Sequence, residues 1–329
     1  MRAAVITEPG GPEVLKVREV PDPAPGPDDV LVDIRASALN RADTLQRQGG
    51  YPAPPGIPDD IPGLEFSGVV LEAGANVADL SAGDRVFGLL GGGGYASRVV
   101  THSRMAMRIP DNLDFVQAAA VPEVFFTAYD ALFNHCELSM GESVLIHAAG
   151  SGVGTAAVQL AHNSGAYVFG TAGSADKLHG AKKLGMDVGI NYREQDFSQV
   201  VREHTGGVGV DVLLDVIGAD YWERNLASLA LRGRMVLVGT MGGGAVQANL
   251  GPMMFKRLRV HGTVLRSRPI EEKIALTNQI KRHVLPLIAS GTIKPVVDSV
   301  YPLVEAAEAH RHMESNTNFG KIILSMEQS

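Results

Sequence analysis

Residues 143–161, Ser-Val-Leu-Ile-His-Ala-Ala-Gly-Ser-Gly-Val-Gly-Thr-Ala-Ala-Val-Gln-Leu-Ala, pass from an apolar run through a turn of small residues into an amphipathic stretch. The chemistry that suits such a segment is the holding of a pyrophosphate. Across Ser151-Gly152-Val153-Gly154 the side chains at 151, 152 and 154 are too small to keep backbone N–H groups and a helix N-terminus away from an anion. A glycine-rich turn alone is tolerated in any strand-to-helix connection. Strand, turn and helix together, followed by a second strand, read as a dinucleotide site.

The second strand, Tyr167–Thr171, discriminates between dinucleotides. NAD sites place an Asp or Glu about 20 residues beyond the glycines to hold the ribose hydroxyls. Here that position falls in Thr171-Ala-Gly-Ser-Ala-Asp-Lys177, with no carboxylate at the strand tip. Gly173 and Ser174 can approach a 2′-phosphate and Lys177 can neutralise it, so NADPH is the expected cofactor. Ser174 also reads as the N-cap of the next helix with Lys177 on its solvated face, a role compatible with the first.

Composition excludes several other classes. Of 329 residues 38 are glycine and 18 proline, and 45% are apolar, which describes a folded chain long enough for about two domains. A formal charge of −7 offers no basic field for a polyanion, so nucleic acid is an unexpected partner. The single cysteine, Cys136, rules out an internal disulfide and any Cys-x-x-Cys metal site, and reads as a small buried apolar residue. His102, His135, His147 and His162 show no paired ligand spacing. No apolar run reaches membrane-spanning length and no signal-like h-region opens the chain, so a cytoplasmic protein is expected.

The elements that must position these residues follow from periodicity. The first ~120 residues read as short strands (3–7, 14–19, 30–38, 66–73, 84–89, 96–101) separated by Pro/Gly/Asp clusters, a mostly-β module. Strands then alternate with helices (143–148, helix 154–164, 167–171, helix 175–184, 188–191, helix 197–205, 210–216, helix 221–230, 234–239), which implies a doubly wound parallel sheet. A strand at 260–265, one long helix at 270–289, and strand–helix–strand at 296–325 complete the chain, the last strands packing back on the first module. Gly91–Gly94 and Gly242–Gly244 read as flexible turns. The fold class is therefore α/β, with domains expected at 1–118 plus 292–329 and at 119–291.

Three stretches, Pro62-Gly-Leu-Glu-Phe-Ser-Gly68 with Gly74 and Gly83-Asp-Arg-Val86, Ala149–Gly154, and Asn318-Phe-Gly-Lys-Ile-Ile323, resemble the medium-chain dehydrogenase/reductase superfamily. Gln48–Gly56, Thr171–Ser174, Asp215–Gly218 with Tyr221-Trp222, Met241–Gly244 and Leu265–Arg268 are similar to its quinone oxidoreductase branch. That resemblance implies a GroES-like catalytic domain, a Rossmann domain, NADPH in the cleft and a homodimer. Zinc members carry ligands at the positions matching Asn40, Leu64 and near Glu123; this chain has none of them there, nor the four-cysteine lobe of a structural zinc, and no metal is expected.

Without a Lewis acid, hydride transfer needs a substrate that is already electrophilic, such as a quinone or an activated enone. Tyr51, in a Gly- and Pro-bounded loop and matched by a tyrosine in the relatives, is the first candidate to steady the developing oxyanion, as a hydrogen-bond or proton donor or as a stacking wall. Asn40, at the zinc-ligand position, is the second, holding either the substrate oxygen or the nicotinamide ribose. Asp43 either orients Asn40 or serves as a turn or cap residue. The resemblance further places Thr127 by the nicotinamide and Tyr192 and Ile217 by the adenine and ribose. It also places Gly239, Thr240, Met241 and Gly242 on the nicotinamide amide, and Arg266, Ser267, Arg268 and Asn318 over the cofactor.

The expected activity is NADPH-dependent, metal-free quinone reduction. Reduction of an enone or enoyl-thioester double bond, and a non-catalytic NADPH-binding protein, remain open beside it. The apolar strand Val260–Leu265 is the expected dimer edge.

Overall fold

In the strand-rich opening, side chains alternate between core and surface. β1 (Arg2–Ile6) pairs antiparallel with β2 (Leu15–Glu19), Arg2 opposite Glu19 and Ile6 opposite Leu15. β3 (Asp29–Ala38) buries Val30, Val32, Ile34 and Ala36 on one face, the period of two expected of a half-buried strand. It is followed by α1 (Arg41–Arg47), β4 (Glu65–Ala73), β5 (Arg85–Leu89), β6 (Arg98–His102), β7 (Ala106–Arg108), α2 (Phe115–Ala119) and α3 (Pro122–Tyr129). The computed structural model of the chain describes residues 1–326.

Thr127 begins a second unit that runs to Val264. It contains β8 (Ser143–Ile146), α4 (Gly152–Asn163), β9 (Tyr167–Ala172), α5 (Ala175–Lys183), β10 (Val188–Asn191), α6 (Phe197–His204), β11 (Val210–Asp215), α7 (Trp222–Ser228), β12 (Leu229–Leu237), α8 (Gly251–Phe255) and β13 (Arg259–Gly262). All six strands are parallel, in the order β10-β9-β8-β11-β12-β13. Val144, Leu145 and Ile146 are fully buried in succession, as a strand covered on both faces requires. Strand order reverses between β8 and β11, and ligands of such sheets bind beyond the carboxyl ends of the strands at that point.

From Leu265 the chain belongs to the first unit again. α9 (Ile270–His283), α10 (Leu285–Ala289), β14 (Val297–Pro302), α11 (Ala306–Ser315) and β15 (Lys321–Ser325) complete it. β15 pairs antiparallel with β3, Ile323 opposite Ala38, and parallel with β14. The resulting sheet runs β14-β15-β3-β4-β5-β7, with β6 also on β3. The return of the last strands to the first module is as the sequence suggests.

Several expectations need correction. Residues 119–126 and 265–291, expected in the doubly wound part, lie in the first unit. Thr277 donates to Met105 Sδ at 3.6 Å and Asn112 Nδ2 to the Ile288 carbonyl at 2.9 Å, contacts between segments far apart in sequence. The single helix expected at 270–289 is two, because Pro286 at the start of α10 has no N–H to continue α9. The strand expected at 260–265 is β13, four residues long and ending at Gly262. The mostly-β module also contains α1 and α2, which are too short for a periodic signal. Gly91–Gly94, expected as a flexible turn, is buried, and the Gly91 carbonyl accepts from Arg266 Nε at 2.7 Å. Cys136 is buried as expected, and burial pushes its thiol up to about 12.

Candidate active site

Of the residues predicted to hold the dinucleotide, those at 151–154, 173–177, 192, 217 and 239–242 lie at the carboxyl ends of the second unit's strands, whereas Arg266, Ser267, Arg268 and Asn318 belong to the first unit. Beyond β8 the chain turns through Ala148, held at φ 52°, and Ser151 caps α4 by accepting the Gly154 N–H at 3.0 Å. A Cβ on Gly154 would lie 2.2 Å from the Ala148 carbonyl, so only glycine lets helix and turn approach this closely. Gly152 and Val153 form the first turn of α4. Beyond β9, Ser174 caps α5 by accepting from the Lys177 N–H at 3.4 Å, and a Cβ on Gly173 would lie 2.6 Å from the Tyr192 hydroxyl. Beyond β11, the Ile217 carbonyl accepts from Gly242 N–H at 2.7 Å and the Val216 carbonyl from Met241 N–H at 3.1 Å. These contacts lay Gly239-Thr240-Met241-Gly242 along the β11 loop. Tyr192 and Met241 are exposed, and Thr127 is half-buried at the unit's first position. A small-residue turn at the N-terminus of a twelve-residue helix fits a pyrophosphate.

A buried polar chain that sequence reasoning missed fixes these loops. His147 Nε2–H donates to Asn225 Oδ1 at 2.7 Å, and its Nδ1 meets the Thr171 hydroxyl at 3.0 Å. Asn225 Nδ2 donates to Asp215 at 2.9 Å, and the Asp215 carboxylate also accepts the Ile217 N–H at 2.7 Å. Strand ends β8, β9 and β11 are thereby tied together. Burial lowers His147 to about 4 and raises Asp215 to about 6, the latter against its backbone and Asn225 donors.

The first unit holds the predicted catalytic residues, each with protein partners. Asn40 caps α1, and its Nδ2 donates to Glu65 Oε1 at 2.8 Å while its Oδ1 accepts from Lys321 Nζ at 2.7 Å. Asp43 is fully buried and accepts from the Asn40 N–H (2.7 Å), the Gly63 N–H (3.1 Å) and the Tyr95 hydroxyl (3.0 Å). Burial outweighs these donors and raises it to about 6. Asp43 thus closes the capping box of α1 through the Asn40 backbone N–H, while the Asn40 side chain is held by Glu65 and Lys321. The chain of contacts continues inward: His310 Nε2 lies 3.2 Å from the Tyr95 oxygen and Arg47 Nη1 donates to His310 Nδ1 at 3.1 Å. Arg47, almost wholly buried, pairs with Glu314. Because arginine only donates, the His310 proton sits on Nε2; burial, with Arg47 and Arg41 adding to it, lowers the imidazole to about 3.

Tyr51 is half-buried, and the Arg266 guanidinium lies 5.2 Å from its ring centre. Arg266 donates to the carbonyls of Gly91 (2.7 Å) and Tyr51 (3.2 Å) and to Gln46 Oε1 (2.7 Å), so its fork steadies the Tyr51 loop from within the unit. Ser267 is exposed and Arg268 half-buried beside it. Asn318 Nδ2 donates to the Gly320 carbonyl at 2.8 Å, just ahead of β15. Burial, reinforced by Glu123, raises the Tyr51 phenol above its ordinary value, with Arg266 opposing.

The strongest feature was not foreseen. Lys321 Nζ lies 2.7 Å from Glu65 Oε1, 2.7 Å from the Leu39 carbonyl and 2.7 Å from Asn40 Oδ1, with both charged side chains essentially inaccessible. Glu65 Oε2 accepts the Glu123 N–H at 2.8 Å. Glu123 keeps part of its surface open, yet burial first and the Glu65 charge second raise its carboxyl to about 8. A carboxylate in an apolar stretch, Pro122-Glu123-Val124-Phe125-Phe126, was the available signal.

Two family models match the chain: "Alcohol dehydrogenase GroES-like domain" over residues 26–111 and "Zinc-binding dehydrogenase" over 152–282. Quinone oxidoreductase 1 of Escherichia coli is 37% identical over 322 residues, covering 96% of each chain. Human quinone oxidoreductase is 34% identical over 330 residues, covering 98% of this chain and 97% of that one. The chain belongs to the quinone oxidoreductase family, within the medium-chain dehydrogenase/reductase superfamily. The crystal structure of E. coli quinone oxidoreductase complexed with NADPH superposes with a TM-score of 0.88 at 35% identity, over 99% of this chain and 100% of that one. This chain has the two-domain architecture of the family, GroES-like and Rossmann-like, and is an oxidoreductase of the quinone reductase type.

This family member has donors that do not fit zinc. Leu64 is apolar, Asn40 offers an amide already held at both ends, and among the described residues no three His, Cys, Asp or Glu are grouped to hold a metal ion. Its core charge is instead balanced within the protein. Lys321→Met should leave Glu65 buried without its cation and cost about 3–5 kcal/mol in chemical unfolding; a loss under about 1 kcal/mol would show that the pair contributes nothing to stability. His310, neutral when folded, gives stability present above about pH 6.5 that is lost as pH falls towards about 3. The stability advantage of wild type over His310→Gln should therefore shrink on acidification from pH 7 to 4, whereas a constant difference would contradict the neutral assignment.

Proposed function

We propose that this protein reduces quinones with NADPH, by hydride transfer to a substrate that needs no metal to activate it. The observation that carries the reading is the chemistry at the positions where zinc members hold their metal: Leu64 has no donor atom, and the Asn40 amide is committed at both ends, to Glu65 and to Lys321. A substrate carbonyl would find no strong electrophile there, so the substrate itself must be electron-poor. NADPH rather than NADH is supported by Gly173 and Ser174 at the tip of β9, followed by Lys177 in the first turn of α5. The bound cofactor supplies the hydride. Ser151–Gly154 would hold its pyrophosphate, Tyr192 and Ile217 its adenosine end, and Gly239–Gly242 its nicotinamide amide.

Tyr51 is the proposed hydrogen-bond donor to the substrate oxygen. Its phenol keeps its proton across the neutral range, which suits a donor that steadies an oxyanion without titrating. The backbone of β13 is the sheet's outer edge on one side, and Phe255 and Met254 nearby are 82% and 73% exposed. A second copy pairing along this edge would cover them, and a homodimer is proposed on that ground.

Anaerobic NADPH oxidation should be fast with ortho- or para-quinones, slower from NADH, and unchanged after dialysis against chelator; inactivation by chelator would contradict the metal-free reading. Tyr51→Phe should lower quinone turnover by about 10²-fold or less. Kinetics identical to wild type would reduce Tyr51 to a packing wall.

A further inference from the structure

The polar cluster of the first unit contains three buried or partly buried carboxyls, and their surroundings differ. Glu65 has Lys321 and Asn40 on Oε1 and the Glu123 N–H on Oε2. Asp43 is sealed, with three donors aimed at it. Glu123 alone has surface left open and, among the described residues, no hydrogen bond on its carboxyl. The charged and titratable groups around it come from every element packed there: Glu65 on β4, Lys321 on β15, Asp43 on α1, Arg266 ahead of α9, Lys273 on α9, and Tyr51 in the loop after α1.

Position at the start of α3 favours a carboxylate, because helix N-termini attract anions. Burial and the Glu65 charge act the other way and prevail, so Glu123 carries its proton up to about pH 8. An acid that releases its proton near working pH is the efficient general acid, and the Tyr51 phenol, raised above its ordinary value, is the poorer one. Glu123 and Tyr51 lie within electrostatic reach of each other.

We propose that Glu123 is the proton donor of the reduction, its carboxyl O–H passing the proton to the oxygen of the substrate bound beside Tyr51. The inference rests on the quinone reading above. The hydride brings two electrons to the quinone and leaves a hydroquinone anion; the Glu123 O–H bond breaks as the new substrate O–H bond forms. The remaining carboxylate regains a proton from water, so NADPH, one proton and quinone yield NADP⁺ and hydroquinone with no further reagent. Tyr51 steadies the oxygen, Glu123 protonates it, and burial with the Glu65 charge keeps Glu123 in its acid form against the opposing charge of Lys321.

Glu123→Gln keeps the shape and removes the titrating proton. Wild-type turnover with a para-quinone should fall as pH rises through about 8. The variant should lose about 10²-fold at pH 7 and have no such limb. Infrared spectra of the protein without cofactor or substrate supply a second readout: a carboxylic-acid C=O band in wild type that bleaches through about pH 8 and is missing from the variant. A variant that keeps both the rate and the alkaline limb, with wild type active on quinones, would overturn the proton donor. A wild type inactive on every quinone, with the infrared titration intact, would overturn the quinone reading instead.

Discussion

The arrangement of the first unit depends on one buried cation. Lys321 opens β15 and places its ammonium among the carbonyl just past β3, the amide that caps α1 and the carboxylate that opens β4. A charge in that position is tolerable only with its counter-charge and hydrogen bonds complete. Completing them constrains the neighbouring residues. The Asn40 side chain is held at both ends, and its backbone N–H donates to Asp43 at the helix start. Glu65, committed to the ammonium, still presents an oxygen to the backbone of Glu123 and a negative charge to its side chain. One ion pair thus holds the Asn40 side chain, and its carboxylate adds to the burial that raises the Glu123 carboxyl.

The second unit solves a similar problem without an ion pair. Its sheet is parallel and apolar on both faces, so the polar groups at the strand ends must find partners inside. His147, Thr171, Asn225 and Asp215 satisfy one another across three strands, and the Asp215 carboxylate is left to organise the Ile217–Gly218 turn. The loops proposed to hold the dinucleotide are therefore anchored from beneath, before any ligand binds. Such preorganisation lowers the ordering cost of binding.

What could be read in the sequence was local. The strand, small-residue turn and helix of residues 143–161 are contiguous, and their chemistry is carried by residue size and order. Asn40 is legible only through the family resemblance, at a zinc-ligand position, and Asp43 by its spacing of three from it, a spacing that could not separate orienting from capping. The Lys321–Glu65 pair spans 256 positions of chain, and neither residue type announces a partner; the antiparallel pairing of β15 with β3 and of β3 with β4 brings them together. In the sequence Glu123 is only a residue near a zinc-ligand position, because the charges that act on it come from distant segments. In the sequence α9 and α10 look like one more crossover helix of the doubly wound unit, while their contacts are with the residues around Met105 and Asn112.

Reduction of an electron-poor carbonyl compound without metal is the claim on which this account stands. The most direct measurement is anaerobic turnover with NADPH against a panel of para-quinones, ortho-quinones, enones and enoyl thioesters, with products identified. The account predicts hydroquinone formed in equal amount to NADPH consumed, and quinones turned over far faster than any enone. Turnover of enones alone, with quinones untouched, would contradict it.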